Sequence, residues 1–331
     1  MLRCARPYPS GTRDCGIDGT TSRCLVSLGA VDDAKQYTSA FRIKGWFMAK
    51  ACEMPGLLGD TIERNYAQKL KSFNNFAQPE IRQAIVSLGL RPGMRVLDAG
   101  CGTGDSINWF HDAVTNQGIV VGMDLATAHT AAARAKAAVG TLILQADLCK
   151  APLMSASFDL VWCVNTINHL RDPPAGLAEL KRLLREGGRI ALAQSGFLPD
   201  MYFAWDSRLE RVVNEAVRRY YRDRYRVDEH DLTAIRALVG LLRRAHLGNI
   251  QVRTFVIERV SPLQAADEVY LLETIFRDTW GARLEPYLSA GDFEQMTRLC
   301  NPEHAEFALK RPDFHFLQTF TLAVGEVVAG G

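Results

Sequence analysis

No run of about 18 apolar residues occurs anywhere in this 331-residue chain, so no segment reads as a membrane-spanning helix. The N-terminus, broken by Arg3, Arg6, Pro7 and Pro9, lacks the apolar core of a secretory signal. A cytoplasmic location is the expectation. Strong charge of either sign is also missing: the formal net charge is only +2, too small for the basic face that nucleic-acid binding requires. No nucleic-acid partner is expected. The eight cysteines form no C-x-x-C pair and have no matching histidine spacing, which argues against both a zinc site and a disulfide framework. No metal is therefore expected, and there is no internal repeat or low-complexity tract.

What remains is a composition of 47% hydrophobic and 23% charged residues, enough to bury the core of one large or two modest domains. Residues 1–55 are the exception. They hold turn formers such as "PYPSGTRDCGIDGTT" and little apolar periodicity, so an extension with little fixed structure is expected there. Met48 and Met54 near its end are alternative starts for the working chain. From about residue 60, "TIERNYAQKLKSFNNF" and "PEIRQAIVSLGL" carry helical spacing. Strand candidates then follow at 95–98, 119–124, 142–147, 158–164 and 189–195, separated by helical stretches. The clearest of these is "GLAELKRLLREGG", where Leu177, Leu180, Leu183 and Leu184 share a face and Gly187 is the expected stop.

Strands alternating with helices predict an α/β fold with a doubly wound, mostly parallel sheet. Residues 56–196 are read as its core. The alternation lapses after Ser195 into a helical region at 197–247; strand candidates return at 249–260 and in "FHFLQTFTLAVGEV", with helical residues 262–312 between them. Residues 197–331 are thus a helical cover plus the last two strands.

The segment "VLDAGCGTGD" places Gly100, Gly102 and Gly104 directly after the first strand candidate. In an open parallel sheet such a loop lies where ligands bind, and its glycines let backbone amides approach closely. A dinucleotide fingerprint would carry a third glycine where Asp105 stands. Asp98 and Asp105, at either end of the turn, would repel a pyrophosphate and attract an ammonium or sulfonium. Asp124 ends the second strand candidate 20 residues after Gly104, the place from which a carboxylate takes both hydroxyls of a ribose. Asp147, in "LQADLCKAP", is placed to accept from an exocyclic amine such as that of adenine, with the Leu148 amide facing a ring nitrogen.

These motifs resemble the class I S-adenosylmethionine-dependent methyltransferases, in particular the UbiE-like or type 11 group, over residues 85–195. "VLDAGCGTGD" is similar to that family's first motif and "VVGMD" to its ribose acid. "QADLCKAPLMSASFDLVWCVNTINHL" resembles its adenine segment and fourth strand, and "LKRLLREGGRIALA" its helix and fifth strand. The resemblance implies a seven-stranded, Rossmann-like sheet whose sixth and seventh strands form an edge hairpin; the helical insertions read here after strand 5 and, at 262–312, between strands 6 and 7 depart from the simplest family pattern. It also implies S-adenosyl-L-methionine as cofactor. Its contacts would come from the loop residues Asp98, Gly100, Cys101, Gly102, Thr103 and Gly104. Asp124 and Leu125, Asp147 and Leu148, and Val164 and Asn165 complete the set. Tyr66 resembles an aromatic that caps the methionine end. The expected partner is a small methyl acceptor, apolar or aromatic, and the helical insertions would serve as lid or as homodimer contacts.

Several residues admit two readings. His169, in "NTINHL", is the candidate general base for an acceptor hydroxyl, against a packing role. Cys101 is read as a small packing residue, since no basic partner is evident. "RRYYRDRY" mixes bases and aromatics, but Glu210, Glu215, Asp223, Asp228 and Glu229 offset its charge, which favours a solvated helix face. Tyr202, Trp205, Tyr220, Tyr221, Tyr270 and Trp280 are candidates for an apolar acceptor pocket, or core. The whole-protein alternatives are an RNA or protein methyltransferase, a nicotinamide oxidoreductase disfavoured by Asp105 and Asp147, and a non-catalytic nucleoside-binding protein.

Overall fold

Apolar residues on both parities of each predicted strand require a sheet buried on both faces, and the computed structural model, which describes residues 65–196, 202–203, 206–226 and 234–328, has one. The expectation for residues 1–55 and the side chains of Tyr202 and Trp205 lie outside the described residues. The strands are β1 (Arg95–Ala99), β2 (Ile119–Asp124), β3 (Leu142–Gln145), β4 (Phe158–Val164), β5 (Leu184–Ser195), β6 (Tyr202–Phe203), β7 (Gly248–Val260) and β8 (His315–Glu326). Sheet order is β3-β2-β1-β4-β5-β8, with β1 to β5 parallel and β5, β6 and β7 all antiparallel to β8. β7 takes one edge of β8 along its length, and β5 and the two-residue β6 share the other end to end. The α/β sheet of seven strands is therefore present, with β6 as a short addition inside the stretch read as helical.

Helices α1 (Ala67–Phe76), α2 (Gln78–Ser87), α3 (Asp105–Val114), α4 (Thr127–Lys136) and α5 (Pro173–Leu183) flank the parallel half. Asp172 starts α5 by accepting from the Ala175 amide at 2.9 Å, with proline in the first turn. That helix ends at Leu183, four residues before the expected stop at Gly187. The reason is tertiary: Leu184 already pairs with Phe158, and Gly187, at φ +70° and donating to the Val327 carbonyl at 2.9 Å, lies in a register shift within β5.

The cover comprises α6 (Ser207–Tyr225), α7 (Ala234–Arg244), α8 (Ala265–Tyr270) and α9 (Ala290–Cys300). A π-helical run, Leu271–Thr279, continues α8. Its wide turns are visible in bonds that reach back five residues, Trp280 N to the Ile275 carbonyl and Thr279 Oγ1 to the Thr274 carbonyl, both 2.8 Å.

Two cores result, one on each face of the sheet. Val96, Leu160, Trp162, Ala191 and Phe320 face α1, α2, α3 and the cover. Leu97, Val121, Val161, Ile190 and Leu192 face α5 and α7. Arg259 of β7 locks the cover to the first helices. It donates to Asp267 at 3.0 Å, to Glu80 at 2.8 Å and to the Phe76 carbonyl, with its guanidinium over the Phe76 ring.

Candidate active site

The strand order reverses between β1 and β4, and the loop leaving β1 lies at that switch point. Its path is fixed by the end of β2. The Gly100 and Cys101 amides both donate to the Met123 carbonyl, at 2.7 and 3.0 Å, and the Gly102 amide donates to Asp124 Oδ2 at 2.8 Å. Two glycines are sterically required. Gly100, at φ +82°, would drive a Cβ into the Thr166 side chain, and Gly104, at φ +77°, would bring one to 2.9 Å from the Ala133 Cβ. The glycine loop thus lets β1, β4 and α4 close around one point.

Four carboxylates stand at this end of the sheet, with Asp98, Asp105 and Asp124 close enough to interact, and their environments differ. Asp98 is 3% exposed; burial, then the charges of Asp124 and Asp105, push its carboxyl up to about 8. Asp105 also resists ionisation through burial, yet bonds from Lys136, from Asn74 at 2.7 Å and from Thr103 Oγ1 at 2.7 Å outweigh it and hold the group below its usual range. This corrects the expectation that Asp105 attracts a ligand cation: Lys136 already neutralises it, and it anchors the start of α3 to α1 and α4. Asp124 accepts from the Gly102 amide, from the Ala126 amide at 2.9 Å and stands 3.2 Å from His129 Nδ1. Asp147 lies two residues beyond β3 rather than at its last residue, because its Oδ1 accepts from the Cys149 amide at 2.8 Å and starts a short 3-10 turn, Leu148–Lys150.

The remaining expected residues divide between backbone and side-chain roles. Cys101 is buried, its thiol pushed up by burial and by Asp98. Thr103 is buried and donates its hydroxyl to Asp105 at 2.7 Å. The Leu148 side chain belongs to the core on the α5 face. Leu125 follows Asp124 in the turn before α4, and its carbonyl accepts from Gln145 at 3.3 Å. Val164 ends β4 and packs against the core facing the cover. Asn165, at φ +49°, uses its side-chain carbonyl to hold the end of β5, accepting from the Ser195 amide at 2.8 Å. His169 sits in the 3-10 turn Ile167–His169 that leaves β4, half-buried, with its amide on the Thr166 carbonyl at 2.9 Å. Tyr66, directly before α1, packs edge-on against His129 at 4.8 Å, and His129 in turn faces Asp124.

Tyr270 and Trp280 leave the list of pocket candidates. Both are fully buried in the cover, Tyr270 stacked on Phe76 at 4.1 Å and Trp280 on Phe276 at 5.9 Å. Tyr220 and Tyr221 sit under the Arg283 guanidinium. One residue of the cluster escaped the sequence reading altogether: His129, buried against Asp124. Its position five residues after a strand-end acid was its only signal.

Residues 97–192, which span the loop, all three strand-end acids and β4 to β5, match the family model for a methyltransferase domain. Residues 97–192 form a methyltransferase domain of the class I S-adenosylmethionine-dependent type. Similar proteins include a malonyl-[acyl-carrier protein] O-methyltransferase of Pseudescherichia vulneris, 32% identical over 44% of this chain and 59% of that protein. A 27-O-demethylrifamycin SV methyltransferase of Amycolatopsis mediterranei is 32% identical over 34% of this chain and 42% of its own length. An S-adenosylmethionine-dependent methyltransferase structure from Aquifex aeolicus aligns over 58% of this chain and 92% of that one, at 20% identity and a TM-score of 0.42. The chain thus spans between about two-fifths and three-fifths of these curated relatives.

The methyltransferase domain fits the family's cofactor on its own chemistry. A buried Asp98 whose named neighbours are two further acids is a place where a cationic ligand relieves an existing cost. No helix of the described residues is long and apolar enough to cross a membrane.

Proposed function

We propose that this protein transfers a methyl group from S-adenosylmethionine to a small, apolar or aromatic metabolite at oxygen or carbon. The observation that carries the reading is the gathering of Asp98, Asp124 and Asp147 at one sheet edge around a loop that excludes side chains. In this reading Asp98 meets the cationic end of the cofactor, and Tyr66 covers the same side. The Gly100 to Gly104 backbone lies along the middle, and Asp124 and Leu125 take the ribose. Asp147 and the Leu148 amide take adenine, with Val164 and Asn165 below it.

The cofactor supplies a methyl carbon already activated by positive sulfur. The chain then has three tasks: to align the acceptor, to exclude water, and to accept one proton where the acceptor is a hydroxyl. His169, on the turn leaving β4, is the residue proposed for that proton. The O-methyltransferases among the similar proteins support an oxygen acceptor, and a cytoplasmic small molecule goes with it.

Calorimetric titration with S-adenosylmethionine, S-adenosylhomocysteine and NAD tests the cofactor. Binding of both sulfur nucleosides and not of NAD is expected. Transfer of labelled methyl to a panel of phenols, enols and carboxylic acids then tests the acceptor. Labelling of bulk RNA or protein in place of every small molecule would overturn the acceptor reading.

A further inference from the structure

A carboxylate offers about four acceptor places, and in this structure three of those on Asp124 face donors of the chain itself. The Gly102 amide holds Oδ2 at 2.8 Å, the Ala126 amide holds Oδ1 at 2.9 Å, and His129 Nδ1 lies 3.2 Å from the same Oδ1. A ribose presents two hydroxyls. One place is open, so a diol needs one of the three donors to withdraw.

The two amides belong to the backbone. Gly102 is tied into the loop by its neighbours' bonds to Met123, and Ala126 immediately precedes α4, where the Thr130 amide uses its carbonyl at 3.1 Å. His129 is held differently. Its ring is 3% exposed, and with Nδ1 directed at Asp124 its other nitrogen, Nε2, is buried with no hydrogen-bond partner. The Tyr66 ring packs edge-on against it at 4.8 Å. Packing alone would be served better by an apolar side chain, since a buried nitrogen without a partner is costly. An imidazole kept here at that cost has a polar task, and its hydrogen-bond partner is Asp124.

We propose that His129 is a resident competitor for the ribose subsite: its Nδ1 occupies the acceptor place on Asp124 that one sugar hydroxyl takes, and it yields that place when the nucleoside binds. The inference rests on Asp124 being the ribose acid. His129 thereby keeps the half-buried Asp124 paired while no nucleoside is bound, and it lowers affinity selectively for ligands that bring a complete diol. Ligands without the diol do not meet this competition.

The test uses the full chain and two probes, adenosine and 2′,3′-dideoxyadenosine, titrated by calorimetry against wild type, His129→Leu and His129→Asn. Leucine fills the space without a donor. Asparagine restores a donor near the Nδ1 position. His129→Leu should bind adenosine about three- to tenfold more tightly than wild type, the worth of one net hydrogen bond, and dideoxyadenosine equally well. His129→Asn should bind both probes like wild type.

Weaker adenosine binding by His129→Leu, or an equal change for both probes, would overturn competition in favour of a supporting or merely packing role. Equal tightening by the leucine and asparagine variants would overturn it too. If wild type itself failed to prefer adenosine over the dideoxy probe, the assignment of Asp124 to the ribose would fall and the competition with it. Should His129→Leu not fold, His129→Phe replaces it with the same expectations.

Discussion

The glycine loop after β1 and the helical cover at 265–300 are built on opposite terms. In the loop, side chains are deleted so that backbones of β1, β4 and α4 can meet, and polar groups crowd until one carboxyl, Asp98, is held to about 8. In the cover, bulk is added: Tyr270, Leu271, Ile275 and Trp280 are fully buried, and Tyr270 lies flat on Phe76. The loop is set by close backbone approach and hydrogen bonds, and the cover by apolar packing. Substitutions in the two regions should therefore be read by different measurements.

The largest difference is expected in the pH dependence of stability. Asp98 ionises near its usual range when unfolded and at about 8 when folded, so the folded state holds a proton that the unfolded state has released. Its contribution is complete below roughly pH 4 and is lost as the pH rises towards 8, at up to about 1.4 kcal/mol per pH unit. Urea unfolding of wild type and Asp98→Asn across that window should show stability falling more steeply with pH in wild type. Parallel profiles would mean that Asp98 is not held protonated. By the same sign, a cationic ligand at Asp98 should release protons on binding, seen as a buffer-dependent binding enthalpy.

Next is the cover. Tyr270→Ala should cost about 3–5 kcal/mol of unfolding free energy, the usual price of an emptied aromatic site. The affinity of the folded protein for S-adenosylhomocysteine should change little. A large loss of affinity at unchanged stability would place Tyr270 in the site after all. Asp124→Ala should do the reverse, weakening S-adenosylhomocysteine by about 1.5–3 kcal/mol for bonds to a charged group, with any loss of stability read separately by urea. Unchanged affinity would remove Asp124 from the site.

Two glycines give a finer comparison. Gly187, at φ +70°, has only Glu326 Oε1 near a built Cβ, at 3.9 Å. Gly187→Ala should therefore cost only the left-handed backbone strain, about 1 kcal/mol. Gly100→Ala adds a collision with Thr166 and should cost at least about twice that, part of it recovered by Thr166→Ala. Equal costs would mean that β4 does not press on the loop. The smallest effect belongs to Tyr270→Phe. The hydroxyl is buried without a hydrogen-bond partner, so its removal should leave the melting temperature unchanged or raised.

The parallel half was legible because its strands are short apolar runs, most of them ended by an acid or a glycine. β2 and β4 fall on the residues that the pattern marks, and β1 differs by one residue. The pattern missed by more where another strand decided the outcome. α5 stops at Leu183 because Leu184 pairs with Phe158, and β3 stops at Gln145 because Asp147 turns to cap its own 3-10 turn. In the cover, helical spacing marked helix and no more. The π-helical run Leu271–Thr279 was not marked by that spacing, and it is flanked by the fully buried Tyr270 and Trp280.

The sequence by itself determined the switch-point loop, the three strand-end acids and the family they resemble, because those features rest on local geometry: a turn that needs glycine and a strand that ends in a carboxylate. Tertiary structure alone decided what each acid is worth. Asp98 lost its solvent, Asp105 acquired Lys136 and Asn74, and Asp124 acquired His129. Charge and hydrogen-bonding state depend on what lies within a few ångströms through space, and residues 31 apart in the chain supply that as readily as neighbours do.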